Sequence, residues 1–131
     1  SDYEQRLFAG IDDKPESGAR EKIEALLSHF VRLLTGDPRF RALASTTVLV
    51  APHAAGRSGK NDALDGWRGR IEDLIAASGE AGHLAPRGVA GLVLVLLQGF
   101  TVTAVIRPHD LPQPDELDAS VKALVRGLLN S

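Results

Sequence analysis

The chain predicts an all-α fold, on three observations. Apolar residues recur at helical spacing in four separate stretches. Asp-Pro, Pro and Gly stand where those stretches start and stop. One uncharged run of eighteen residues, VAGLVLVLLQGFTVTAVI from Val89 to Ile106, lies between Arg87 and Arg107. The expected arrangement is one domain, an antiparallel bundle of about five helices that dimerises through the last two.

The first helix is expected over residues 19 to 35. Ile23, Leu26, Leu27, Phe30, Val31 and Leu34 follow the i, i+3, i+4, i+7 rule, with Ser17 as the N-cap. Gly36 stops it, and Asp37-Pro38 restarts the chain as N-cap and first helical residue. The second helix carries Phe40, Leu43 and Thr47 on one face. Its end, STTVLVAP, is β-branched enough to form a strand, but helical neighbours favour helix. Residues 52 to 60 read as a polar loop, and Asn61 or Asp62 caps a third helix with Leu64, Trp67, Ile71, Leu74 and Ile75 along one stripe. Gly66 and Gly69 inside it cost about 1 kcal/mol each relative to Ala, so tertiary contacts must hold it. Gly79 ends it. The apolar run follows Pro86 and is closed by Pro108; after the linker PHDLPQP, Asp115 caps the last helix, whose stripe is Leu117, Val121, Leu124, Val125 and Leu128.

The apolar run could be a membrane span, two strands or a buried helix. Eighteen residues are at the lower limit for a span. Gln98, Gly99, Thr101 and Thr103 interrupt its apolarity, and one Arg at each end gives no inside–outside asymmetry. A hairpin among helices would be an odd fold. A central helix is favoured, and a helix apolar all round must be covered all round. The amphipathic helices of 131 residues cover only part of it, so the rest calls for a second copy of the chain.

Composition narrows the function classes. The chain is 44% hydrophobic and 24% charged, as expected of a globular domain. Net charge −2 and pI about 6.0 argue against gripping nucleic acid by bulk charge. With no Cys there are no disulfides, thiolate chemistry or Cys-held metals. The polar start carries no signal peptide, which fits the cytoplasm. AGRSGKN fails as a phosphate loop, because Ala54 and Asn61 stand where Gly and Ser or Thr are required. His29, His53, His83 and His109 have no metal-ligand spacing, and no Ser lies in a nucleophile elbow. An enzyme is not expected, nor is any cofactor or metal. His29, beside the first apolar stripe, reads either as a boundary His with one hydrogen bond or as a polar ligand anchor. Trp67 and Gln98 read as core or interface residues, or as pocket lining.

The elements occur in a telling order. Trp67-x3-Ile71-x2-Leu74-Ile75 precedes Gly82-His83-Leu84-Ala85-Pro86, then Leu96-Leu97-Gln98-Gly99-Phe100, a Pro/Asp linker, and Leu124-Val125-Arg126-Gly127-Leu128-Leu129. The chain thereby resembles the C-terminal regulatory domain of TetR-type transcriptional repressors, most clearly from Trp67 to Ser131. The resemblance implies an all-helical effector-binding and dimerisation domain over residues 1–131, with residues 1–17 as the tail of a helix from an N-terminal DNA-binding head. It implies a homodimer, a small and largely apolar effector, and DNA contact only through that head. Dimer contacts would fall on Leu117, Val121, Leu124 and Leu128, joined by Leu92, Leu96 and Gly99. The pocket would be lined by His29, Phe30, Trp67 and Ile71, with Phe100 and Thr101. No basic head precedes Ser1 in this sequence, so no residue here is assigned to DNA. Two other readings stand beside this one: a helical adaptor without a small ligand, and a small enzyme using His29.

Overall fold

The computed structural model describes residues 2–12, 17–50 and 63–129, and every regular element among them is helical. Six α-helices run in order: α1 (Asp2–Asp12), α2 (Ala19–Gly36), α3 (Pro38–Ser45), α4 (Ala63–Ser78), α5 (Pro86–Ile106) and α6 (Pro114–Leu128). The loop over 52–60, His53 and the Asn61/Asp62 cap lie outside the described residues.

The sixth helix is α1, which the sequence reading did not separate. Its apolar set, Leu7, Phe8 and Ile11, is too short to show a period, yet all three are buried. The β-branched end of α3 forms no strand. It continues as a π-helical turn over Thr46–Val50. The Ser45, Thr46 and Thr47 hydroxyls donate to the carbonyls of Arg41, Ala42 and Leu43, four residues back. Such back-bonding occupies backbone acceptors with side-chain donors and so perturbs the regular ladder.

Two caps differ from expectation. Gly18, not Ser17, is the N-cap of α2, and it has no side chain to bond the first amides. The Glu80 carboxylate reaches in from the turn after α4 and accepts from the Ala19 N–H at 2.6 Å. A negative group is favourable at that end of a helix. Gly79 and Gly82, both at positive φ, shape the turn that carries Glu80 there. At α6 the N-cap is Gln113 rather than Asp115, because Pro114 takes the first helical position, where its missing N–H costs nothing. The Gln113 carbonyl accepts from Glu116 and Leu117, both at 2.9 Å. Asp115 and Glu116 then lie in the first turn. The Asp37-Pro38 junction forms as expected, with Asp37 Oδ1 accepting from the Phe40 N–H at 3.0 Å.

Packing centres on α2, which touches α1, α3, α4, α5 and α6. Its Phe30 meets Phe40 of α3 edge-on at 5.6 Å and Trp67 of α4 at 6.2 Å between ring centroids. All of the apolar run falls within one helix, which excludes the two-strand reading. α5 packs mainly on α4, and also on α2, α3 and the π turn. Its buried residues are Val89, Ala90, Val93, Leu94, Leu97, Thr101 and Ala104, a single helical face.

Removing the remote cap tests this account. Glu80→Ala is expected to destabilise the chain by about 1 kcal/mol in urea unfolding, the ordinary cost of losing an N-cap acceptor. Glu80→Gln, which keeps an acceptor, should lose less. Equal stability of wild type and Glu80→Ala would mean that the Ala19 amide needs no side-chain partner.

Candidate functional site

The opposite face of α5 is apolar and uncovered. Leu92 is 46% exposed, Val95 60%, Val105 49% and Ile106 68%. Gly88 and Gly99 lie on the same side, and a Cβ added at either would meet nothing within 4 Å. Residues 88, 92, 95 and 99 follow the i, i+4, i+7, i+11 spacing of one stripe, and 106, five turns on from 88, lies on the same line. Beside the start of α5, Leu128 of α6 joins Leu84, Ala85, Gly88, Val89 and Leu92 around an open cleft of about 180 Å³. The uncovered apolar surface thus extends from α5 onto the end of α6.

The residues expected at a dimer contact divide between this surface and the core. Leu92 and Gly99 are exposed, and Leu96 and Leu128 are half-buried. Leu124 is 41% exposed. Leu117 and Val121, at 1% and 5%, are consumed by the chain's own core, where α6 packs on α2. All four lie on one side of α6, but the buried face is centred between Val121 and Val125, which leaves Leu124 at its edge. Val95, Val105 and Ile106 belong to the exposed surface but were not singled out from sequence. The polar residues of the run do not mark its outer side: Thr101 is fully buried, and Gln98 and Thr103 are half-buried. Gln98 Nε2 donates to the Leu94 carbonyl of its own helix at 3.4 Å.

The residues expected around a ligand also divide. Phe30, Trp67, Ile71 and Thr101 are fully buried among other core residues, and Phe100 is half-buried against them. Thr101 is satisfied by its own helix, donating to the Leu97 carbonyl at 2.9 Å. His29 is half-buried, with Nε2 at 3.3 Å from the Arg6 carbonyl of α1. A carbonyl only accepts, so Nε2 carries the proton in this contact. That matches the boundary-His reading. Trp67, Phe30 and Phe40 come together in one aromatic cluster, whereas His29 points elsewhere.

His29 instead edges a polar cleft of about 490 Å³ between α2 and α6, lined also by Glu21, Glu24, Ser28, Arg32, Asp118 and Lys122. Arg32 Nη2 donates to Asp118 Oδ2 at 2.9 Å. Hydrogen bonds from Arg32, then Ser28, hold the Asp118 carboxyl below the ordinary carboxylate range. No group of His, Asp and Glu among the described residues is arranged to hold a metal.

α5 is also the one helix among the described residues long and apolar enough to cross a membrane. Its most apolar eighteen residues have mean hydropathy 2.3, and 39% of them are buried within the chain. By length and composition alone, a core helix satisfies the same criteria.

The lowered Asp118 titration has a pH consequence. The folded chain gives up that proton more readily than the unfolded chain, so the unfolded state binds more protons at acid pH. The contribution to stability is complete above the ordinary carboxylate range, near pH 4, and is lost as pH falls through the folded value. Asp118→Asn should therefore flatten the loss of stability between roughly pH 5 and pH 2, read as the urea midpoint against pH. An unchanged slope would remove Asp118 from the acid response. The chain matches no protein-family model, no curated protein and no solved structure.

Proposed function

We propose that the chain is the ligand-sensing, self-associating part of a TetR-like transcriptional regulator acting in the cytoplasm. In this reading the helices form a bundle, and two copies meet through the outer face of α5 and the end of α6. The observation that carries it is the continuous apolar stripe of Leu92, Val95 and Ile106, opposite a face of α5 already buried in its own chain. Uncovered apolar surface on this scale marks an interaction site. Isologous pairing of like faces is the commonest way to cover one. The order of motifs from Trp67 onward supports the regulator reading. Contacts are assigned to Leu92, Val95, Leu96 and Gly99 of α5 with Leu124 and Leu128 of α6. A small apolar effector would enter the core to which Phe30, Trp67, Ile71, Phe100 and Thr101 contribute, by parting its packed side chains. Its effect on DNA would pass to a head outside this sequence.

A second reading assigns the same face to a different protein, making the chain a helical adaptor. Sedimentation separates the two. The wild-type chain is expected to be a dimer at micromolar concentration, burying more than about 1,000 Å². Val95→Asp and Leu124→Asp should give monomers of unchanged helical content, because an unpaired charge in a dry interface is costly. Val93→Asp, on the covered face, should unfold instead. A wild-type monomer would overturn self-association and favour the adaptor.

Effector binding is tested by thermal shift with a panel of small apolar compounds. At a hundredfold excess over Kd, a ligand of the native state adds about 2.7 kcal/mol. Trp67 is the sole Trp, so a compound bound at the aromatic cluster should also change its emission. Stabilisation without an emission change would place the ligand elsewhere.

A further inference from the structure

We propose that α1 is a latch whose closing ion pair shares its carboxylate with the cap of α3, so that release of α1 loosens the start of α3. α1 has eleven residues, too few to be stable as a helix alone, so its order depends on docking. Leu7, Phe8 and Ile11 supply the apolar part, with α1 packed on α2. Three polar ties each reach a different element. The Arg6 guanidinium pairs with Asp37, at the junction of α2 and α3. The Arg6 carbonyl accepts from His29 of α2. The Arg70 guanidinium of α4 lies 4.2 Å from the centroid of the Phe8 ring.

Asp37 is the shared part. One carboxylate oxygen takes Arg6, and the other takes the Phe40 N–H that opens α3. Its own N–H closes α2 on the Leu33 carbonyl at 3.0 Å. Holding one oxygen on Arg6 fixes the rotamer that points the other at Phe40. The cap is therefore stiffest when α1 is docked. Arg6 and Asp37 are both partly exposed, so the tie is weak and salt-sensitive. Such a contact suits a segment that opens well below the cost of global unfolding. This inference does not depend on the regulatory reading, and its readout needs neither effector nor DNA.

Hydrogen exchange on the full chain tests it. Arg6→Gln should speed exchange across α1 about two- to fivefold, the range for a partly exposed ion pair. It should speed the Phe40 amide in the same sense and leave α5 unchanged. Asp37→Asn keeps a capping acceptor but loses the charge, so it should release α1 to the same extent. The double variant should be no looser than either single one. Sodium chloride at about 1 M should loosen α1 in the wild type and not in Arg6→Gln. Unchanged α1 exchange in Arg6→Gln would overturn the latch. A loosened α1 with an unmoved Phe40 amide would overturn its link to α3, and equal loosening of all helices would reduce it to ordinary stability.

Discussion

Phe30 sits where three helices meet, and the rest of the fold is arranged around that meeting. Its ring is edge-on to Phe40 of α3 and to Trp67 of α4. Edge-on pairs add about 0.5–1.5 kcal/mol each beyond the area they bury. The larger effect is geometric. With few aromatics in the chain, these three rings supply much of the volume that fixes the spacing of α2, α3 and α4. α4 in turn carries α5. The inward face of α5, from Val89 to Ala104, is defined by where that aromatic cluster holds α4 and α2.

Carboxylates manage the ends of the central helix. Glu80 answers the first amide of α2, and Asp37 both follows its last turn and starts α3. Each helix end leaves backbone groups without intrahelical partners. Here those groups are met by residues that also tie segments distant in sequence. The Arg41 guanidinium meets another of these groups locally, donating to the Leu34 carbonyl seven residues back. The caps thus set the positions of α1 and of the α4–α5 turn as well as the helix boundaries.

The outer face of α5 is the surface the chain leaves unfinished. A helix apolar on every side is stable only when every side is covered. One face is covered by α4 and its neighbours, and Leu92, Val95, Val105 and Ile106 are left in the open. Glycines on that side leave room for another backbone to approach closely. The proposed self-association would meet this need without further chemistry, and the polar cleft beside His29 lies between α2 and α6.

The all-helical character, most helix limits and the Asp37-Pro38 junction were legible in the sequence alone. Periodicity, proline and the N-cap carboxylate act within a few residues of one another. The apolar run also announced a helix needing more cover than the chain could give. Only the tertiary structure decided which face of α5 turns inward, because the run is hydrophobic on every side and its polar Thr101 is buried, satisfied by its own helix. It likewise divided the α6 stripe, sending Leu117 and Val121 to the core and leaving Leu124 outside. The same holds for the cap of α2: Glu80 stands 61 residues from Ala19. Local sequence fixes which backbone groups will lack partners. Which distant side chain answers them depends on how the helices pack.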